Sequence, residues 1–202
     1  MTEYTIAAIP TEYRGRRYRS RLEARWAAFF DLLGWRHEYE PFDLGSWSPD
    51  FLLPDWKMLV EVKPLEEFDR ETWDKAVGAC RARGLFEPKD DCPVSGIFLT
   101  RTAPSLWQRP TTTVCRVGWF GIAGTAYEPS TALLLWQARP FLPEFTAELV
   151  HGDMEGWWTA SGDAGMHARR HRTDPQNFPE HATGLWARAT NTVQWLGKEA
   201  RP

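Results

Sequence analysis

The sequence predicts an α/β protein in which helices pack on a mixed β-sheet. Apolar residues recur at helical spacing over residues 20–34 and again over residues 69–83. Short apolar segments bounded by turn residues lie between these two stretches, and another follows them. The resulting order of helix, three strands, helix and strand is typical of helices laid against one sheet.

The first helix is expected over residues 20–34. Ser20 is a suitable N-cap and Gly34 a suitable residue to end the helix. Leu22, Trp26, Phe29, Phe30 and Leu33 form its apolar stripe. A helix with this pattern packs against the sheet through one face.

Three strands are expected between the helices, and one after the second helix. We predict them over residues 36–42, 50–53, 57–63 and 94–100, with turn chemistry at residues 45–48 and at Pro54 and Asp55. The second helix, over residues 69–83, carries Trp73, Ala76, Val77 and Cys80 at helical spacing and ends before Gly84.

The second half of the chain has weaker patterns. Residues 111–123 and 132–140 are predicted strands, and residues 151–182, rich in Gly, Asp, His and Pro, are predicted to be a long loop or flap. Leu185, Trp186, Ala189, Val193 and Leu196 share one face of a closing amphipathic helix. We expect residues 1–202 to form a single domain.

Composition indicates a reduced protein of the cytoplasm. Of the 202 residues, 43% are hydrophobic, which is ample for a core. Cys80, Cys92 and Cys115 form no close pair, so neither a disulfide framework nor a zinc ribbon is indicated. No apolar run approaches membrane-spanning length, and we expect no membrane association.

Basic residues are concentrated locally although the net charge is −3. The main cluster comprises Arg14, Arg16, Arg17, Arg19 and Arg21. We expect it to contact nucleic-acid phosphates; the alternative is solvated ion pairs with Glu12, Glu23 and Asp31. A second group comprises Arg169, Arg170 and Arg172. His167 and His171 have the spacing of two zinc ligands, but the arginines between them and the absence of a nearby Glu motif favour a basic surface segment.

The segment SPDFLLPDWKMLVEVK, which begins at Ser48, concentrates acids beside a lysine. Glu61 and Lys63 share one face of the predicted strand because side chains alternate. If the preceding strand pairs with it, Asp50 lies opposite. Two adjacent carboxylates favour a hard divalent cation, for which Mg²⁺ is the simplest choice and Mn²⁺ a substitute. Asp55 lies in the turn itself and is interpreted as structural.

These residues resemble the signature of the PD-(D/E)XK nucleases: Pro49-Asp50, ten further residues, then Glu61-Val62-Lys63. The stretch SRLEARWAAFFDLLGW is similar to the first helix of that superfamily. The resemblance covers residues 18–100 and is strongest to small phage and bacterial nucleases. It implies a restriction-endonuclease-like α-β-β-β-α-β core at about residues 16–101, extended by C-terminal strands and a closing helix at about residues 102–202.

The resemblance also implies a metal-dependent deoxyribonuclease that leaves a 5′-phosphate. Asp50 and Glu61 would be metal ligands, together with the Val62 carbonyl. Lys63 would position or activate the attacking water, and Glu23 would assist from the first helix. Glu23 has an alternative role, because Ser20 and Glu23 have the spacing of a capping box. Glu40 is expected to face solvent.

Two alternatives stay open. The residues also resemble, in outline, archaeal Holliday-junction resolvases, which would require a homodimer to cut two strands symmetrically. The other alternative is a non-catalytic nucleic-acid-binding module that keeps the fold. The second helix, with Trp73 and Val77 around Lys75, lacks the Gln-x-x-x-Tyr pattern of the RecB-like branch, so an exonuclease-type assignment is not implied.

Overall fold

The computed structural model describes residues 8–85, 94, 96–109, 112–122, 130–138, 145–152, 157–159 and 178–199. These residues form three α-helices, an eight-stranded mixed sheet and a separate two-stranded hairpin. The predicted α/β class with a mixed sheet is therefore confirmed.

The arginine cluster begins on a hairpin that the sequence patterns did not predict. Strands β1 (Thr11–Tyr13) and β2 (Arg16–Tyr18) pair antiparallel, with Tyr13 opposite Arg16. Arg14 and Gly15 both have positive φ values, 50° and 73°. Two consecutive positive φ values define the tight turn whose twist suits a two-residue hairpin.

Helix α1 (Arg21–Leu33) begins and ends as predicted. The Ser20 side chain accepts a hydrogen bond from the Glu23 N–H, and Gly34 adopts the left-handed conformation after the last turn. The N–H groups of Gly34 and Trp35 donate to the carbonyls of Asp31 and Phe30, respectively. This pair of hydrogen bonds is the Schellman motif, which satisfies carbonyls at a helix end.

The next four elements follow the predicted order. They are β3 (Glu38–Tyr39), β4 (Phe51–Leu53), β5 (Met58–Glu61) and α2 (Arg70–Ala82), and a 3₁₀ turn at Pro54–Trp56 joins β4 to β5. The first of these strands is shorter than the predicted 36–42, because Glu40 has a φ of 49° and turns the chain away. Asp69 caps α2 by accepting from the N–H groups of Glu71 and Thr72.

The sheet continues in strands β6 (Gly96–Arg109), β7 (Thr112–Ile122), β8 (Ser130–Ala138), β9 (Phe145–Gly152) and β10 (Trp157–Thr159). Its order is β3-β4-β5-β6-β7-β8-β9-β10; β5 and β6 pair in parallel and the other neighbours antiparallel. The strands predicted over 111–123 and 132–140 are confirmed as β7 and β8.

Two expectations for the second half need correction. Strand β6 runs well beyond the predicted 94–100, because an irregularity between Thr100 and Ser105 accommodates Pro104. The long loop predicted over 151–182 is wrong in part: the end of β9, all of β10 and the first turn of helix α3 (Phe178–Glu199) fall within it. The rest of that range lies outside the described residues. The basic group around Arg169, Arg170 and Arg172, with His167 and His171, lies outside the described residues.

Side chains of β5 alternate between two apolar layers. Met58 and Val60 pack with α1 and α3, whereas Leu59 packs with α2 on the other face. Trp186 of α3 lies against Trp26 of α1, with ring centroids 5.0 Å apart. The closing helix therefore completes the layer begun by α1. None of the helices in the described ranges is long and apolar enough to cross a membrane.

Candidate active site

Asp50 and Glu61 lie side by side where β4 and β5 reach one end of the sheet. The pairing of Phe51 with Val60 places Asp50 opposite Glu61, and the Asp50 N–H donates to the Val60 carbonyl at 2.9 Å. The Val62 N–H then donates to Asp50 Oδ2 at 2.7 Å. The predicted pairing of Asp50 with the Glu61 to Lys63 segment is thus present.

Both carboxylates are buried, which makes their negative charge costly. Asp50 is 3% exposed and Glu61 5% exposed. Burial, followed by the charges of Glu61 and Glu23, raises the pKa of Asp50 to about 7. The Val62 N–H and the Arg19 guanidinium act in the opposite direction. A site in which one buried acid resists ionisation is one that gains from a bound cation.

Glu61 is held from two sides. Trp47 Nε1 donates to Glu61 Oε2 at 2.7 Å, and Lys63 Nζ lies 2.9 Å from Glu61 Oε1. Burial disfavours the lysine charge, but Glu61 and, further away, Asp50 outweigh it and raise the pKa of Lys63. Lys63 is therefore an ammonium group, a donor and not a base, and its side chain is 46% exposed towards solvent.

Trp47 reaches Glu61 from the loop between β3 and β4. The Trp47 carbonyl accepts from the Leu44 N–H, and Asp43 accepts from the Gly45 N–H and the Ser48 hydroxyl. The indole is buried against the α2 side of the sheet. Sequence reasoning predicted the turn but missed this residue, because nothing distinguishes Trp47 among twelve tryptophans.

Arg19, predicted to contact nucleic acid, lies in the acidic site. Its guanidinium is 2.5 Å from Asp50 Oδ1 and 2.9 Å from Glu40 Oε1, and its Nε lies 3.9 Å from Glu23 Oε2. Burial disfavours its charge, but Asp50, Tyr39 and the two glutamates raise the pKa of Arg19. Glu40 is exposed, as expected, and its carboxylate also pairs with Arg19.

Glu23 serves the helix start and also borders the site. Its Oε2 accepts from the Tyr39 hydroxyl at 2.6 Å and from the Arg19 N–H at 3.1 Å. In a capping box the glutamate accepts a hydrogen bond from the N–H of the cap residue itself. Here the Glu23 carboxylate binds the N–H one residue before the Ser20 cap. Burial and then Glu23 raise the pKa of Tyr39. Glu23 thus borders the site, and in place of the predicted bond to the Ser20 N–H its carboxylate binds the Arg19 N–H.

The remaining predicted arginines lie apart from the carboxylates. Arg14 pairs with Asp31 at 3.1 Å, as the ion-pair alternative anticipated. In the described part of the chain, Arg16, Arg17 and Arg21 have no acid within 4 Å and are exposed. Arg14 and Arg16 line a cleft of about 650 Å³, together with Tyr13, Tyr18, Asp31, Trp35, Arg36 and His37.

That cleft is not lined by the paired carboxylates, so it and the candidate metal-binding groups occupy different places. Asp31 organises it, accepting from the Tyr13 hydroxyl at 2.9 Å and lying 3.1 Å from His37 Nε2. Asp55, interpreted as structural, pairs with Arg36 at the surface. The cleft offers mainly cations and aromatic rings; of its two acids, Asp31 is already hydrogen-bonded and Glu38 is exposed. We therefore take the paired carboxylates as the candidate site.

The donor set at the carboxylates fits a divalent cation such as Mg²⁺. Asp50, Glu61, Glu23 and Glu40 face two cations, Arg19 and Lys63, which leaves an excess of negative charge. Among the described residues, no three His, Cys, Asp or Glu side chains form a ready-made metal cage. Mg²⁺ needs none, since it uses one or two carboxylates and keeps several waters.

Comparison with protein-family models, with curated proteins and with solved structures gives no match to this chain.

Proposed function

We propose that the protein is a Mg²⁺-dependent deoxyribonuclease that hydrolyses phosphodiester bonds at the Asp50–Glu61 pair. The observation that carries the proposal is the juxtaposition of these two buried carboxylates with Lys63 on the same strand end. The element order α1, β3, β4, β5, α2, β6 supports it further, because it is the order of a restriction-endonuclease-like core. The sequence resemblance to PD-(D/E)XK nucleases points to the same chemistry.

Each residue has a role that follows from its contacts. Asp50 and Glu61, with the Val62 carbonyl, would hold the cation, which when bound supplies Lewis acidity and neutralises charge on phosphate. The Val62 N–H fixes Asp50, and Trp47 fixes Glu61, so both carboxylates are oriented before substrate arrives. Lys63 is an ammonium group with 46% of its side chain exposed, suited to donate to a phosphate oxygen and stabilise the transition state.

Substrate contact is assigned to the exposed arginines. Arg16, Arg17 and Arg21 have unpaired guanidinium groups among the described residues and follow one another from the hairpin to the start of α1. Arg14 contributes less, because Asp31 already neutralises it. Binding through such contacts should weaken steeply as salt rises.

The proposal is tested by incubating wild type and Lys63→Ala with supercoiled, linear, single-stranded and four-way-junction DNA at low salt. Each substrate is assayed with Mg²⁺, Mn²⁺ or EDTA. We expect metal-dependent cleavage by wild type and none by Lys63→Ala, which should still bind DNA because the arginines are unchanged. Lys75→Ala, on the exposed face of α2, is the matched control and should cleave like wild type.

Equal cleavage by Lys63→Ala and wild type, or cleavage that survives EDTA, would contradict the assignment. If the protein prefers the four-way junction and is a dimer, the result would favour a junction resolvase.

One observation favours the non-catalytic module as a second candidate. Each paired carboxylate already has an internal cation, Arg19 for Asp50 and Lys63 for Glu61. In a protein that only binds nucleic acid, these two ion pairs would neutralise the carboxylates, and no metal ion would be required. The discriminating result is DNA binding that is independent of metal and unchanged in Asp50→Asn and Glu61→Gln, with no cleavage of any substrate.

A further inference from the structure

Arg19 occupies the place where a cation is needed. It lies in direct ion-pair contact with Asp50 and Glu40 and 3.9 Å from Glu23, whereas Lys63 pairs with Glu61. Neither Arg17 nor Arg21, its neighbours along the chain, has an acidic partner among the described residues. Arg19 is thus distinguished from the rest of the arginine cluster by its position, not by its sequence context.

The two oxygens of Asp50 are not equivalent. Oδ2 accepts from the Val62 N–H at 2.7 Å, a backbone donor fixed by the sheet. Oδ1 is bound to the Arg19 guanidinium at 2.5 Å. A divalent cation that binds Asp50 through Oδ1 therefore meets the guanidinium at the oxygen it needs. Two positive charges at one carboxylate oxygen repel each other, so the cation and Arg19 compete.

The Arg19 side chain is free to leave while its backbone stays in place. Its N–H is bonded to Glu23 Oε2 and to the Tyr39 hydroxyl, which fixes the residue at the start of α1. The side chain itself is 55% exposed, so rotation into solvent requires no repacking. A planar guanidinium released beside the acidic site is well suited to bidentate contact with a phosphate.

We propose that Arg19 is the resident cation of the acidic site, that a divalent metal displaces it from Asp50 Oδ1, and that the released guanidinium then binds a phosphate of the nucleic acid. This inference rests on the proposed function. It makes metal binding and phosphate binding cooperative, because the metal frees a substrate-binding group that is otherwise occupied.

Metal affinity tests the displacement step. Mn²⁺ binding is measured by calorimetry for wild type, Arg19→Gln and Arg17→Gln, with circular dichroism to verify folding. We expect Arg19→Gln to bind Mn²⁺ roughly three- to tenfold more tightly than wild type, because no guanidinium has to leave. Arg17→Gln removes one nearby charge without touching Asp50 and should bind Mn²⁺ as wild type does.

A measurement on the unmodified protein covers the case in which Arg19→Gln folds poorly. The Arg19 Nε–H resonance is followed by NMR during titration with diamagnetic Mg²⁺. We expect it to shift and to exchange faster with solvent as the metal site fills. Retention of its position at saturating Mg²⁺ would overturn the displacement.

DNA affinity tests the second step, with Ca²⁺ used to fill the site without cleavage. We expect Arg19→Gln to weaken DNA binding with Ca²⁺ present and to leave it nearly unchanged in EDTA, where Arg19 is held by the acids. Arg17→Gln should weaken binding equally in both conditions. An Arg19 effect of the same size with and without Ca²⁺ would overturn the proposal.

The outcomes separate the two proposals. Metal binding by wild type with no gain in Arg19→Gln overturns the role of Arg19 and leaves the nuclease proposal standing. Absence of Mn²⁺ binding in wild type and in Arg19→Gln alike overturns both.

Discussion

Asp50 is the residue on which the site depends most, because it is buried, opposite another carboxylate and bonded to a backbone N–H. Without a metal ion, the Asp50 carboxylate can be stabilised by the Val62 N–H and the Arg19 guanidinium, or it can be neutralised by a proton. The raised pKa indicates that the first two are incomplete. A proton and a metal ion therefore compete for the same carboxylate.

The stability of the metal-free protein should depend on pH through Asp50. Its folded-state pKa of about 7 lies above the ordinary value, so its contribution to stability is present below about pH 4 and is lost as the pH rises through 7. Urea unfolding in EDTA between pH 4 and pH 8 measures this loss.

Asp50→Asn isolates this effect, because an amide keeps the shape but cannot ionise. We expect the free energy of unfolding of Asp50→Asn to exceed that of wild type above pH 7 and to equal it near pH 4. The same variant should lose metal affinity. A difference between the two proteins that is constant across the pH range would mean that Asp50 ionises normally.

Trp47 should act on the site through Glu61. Trp47→Phe keeps an aromatic side chain but replaces the indole by a smaller ring without an N–H donor, leaving the buried Glu61 Oε2 with one partner fewer. We expect Mn²⁺ affinity to fall by roughly tenfold or more and stability by about 1–3 kcal/mol. Calorimetry and urea unfolding measure the two effects.

Trp56→Phe is the control for that substitution. Trp56 is half-buried and packs on Trp35 at 5.4 Å, without a carboxylate partner in the described part of the chain. It should affect stability alone. An equal loss of metal affinity in both variants would indicate general loosening in place of a specific orientation of Glu61.

Sequence reasoning identified the centre of the site but not its surroundings. Asp50, Glu61 and Lys63 follow from strand alternation and from one turn that pairs two adjacent strands, which are local rules. Trp47, Arg19 and Glu40 reach the site through a loop, a helix start and a left-handed backbone residue, respectively. Those positions depend on tertiary packing, which cannot be predicted from the spacing of residues along the chain.

At the scale of elements, the segments with strong local signals were predicted best. Helix α1 has a capping serine, an apolar stripe and a terminal glycine that all agree. Strand β3 was predicted too long, because nothing in the sequence marks Glu40 as a positive-φ residue. Strand β6 was predicted too short, because the apolar segment ends at Thr100 although the strand continues past an irregularity before Ser105.

Glycine positions give a test of the close packing between β6 and β7. A Cβ at Gly118 would collide with the Leu99 backbone carbonyl, which cannot move without breaking the pairing of the two strands. We expect Gly118→Ala to lower the free energy of unfolding by about 1–3 kcal/mol or more. Thermal and urea unfolding provide the measurement.

Gly78→Ala is the matched control on an exposed face of α2. A Cβ there meets nothing within 4 Å, and alanine favours the helix by about 0.5–1 kcal/mol. It should therefore stabilise. If both substitutions have the same small effect, β6 and β7 approach less closely than described.

At the scale of the whole molecule, the candidate site lies at the junction between antiparallel and parallel pairing in the sheet. Strands β4 and β5 are antiparallel and bring Asp50 to Glu61, whereas β5 and β6 are parallel and require the α2 crossover. Helices α1 and α3 cover one face and α2 the other. Both ends of the described chain thus stabilise the strands that carry the site.

The second half of the molecule was the least predictable. Strands β6 to β10 each pair antiparallel with the next strand in sequence, whereas helix α3 packs Trp186 on Trp26 and Phe29, which are distant along the chain. The sequence predicted β7, β8 and the closing helix but neither β9 nor β10.

The central claim is that Asp50 and Glu61 form a metal-dependent hydrolytic site, and the rate of DNA cleavage by wild type and Glu61→Gln in Mg²⁺ and in EDTA tests it most directly. Supercoiled plasmid and circular single-stranded DNA serve as substrates, at equal protein concentrations and low salt. We predict that wild type cleaves with Mg²⁺ and stops in EDTA, and that Glu61→Gln is slower by about 100-fold or more while still binding DNA. Equal rates for the two proteins, or cleavage unaffected by EDTA, would contradict the account.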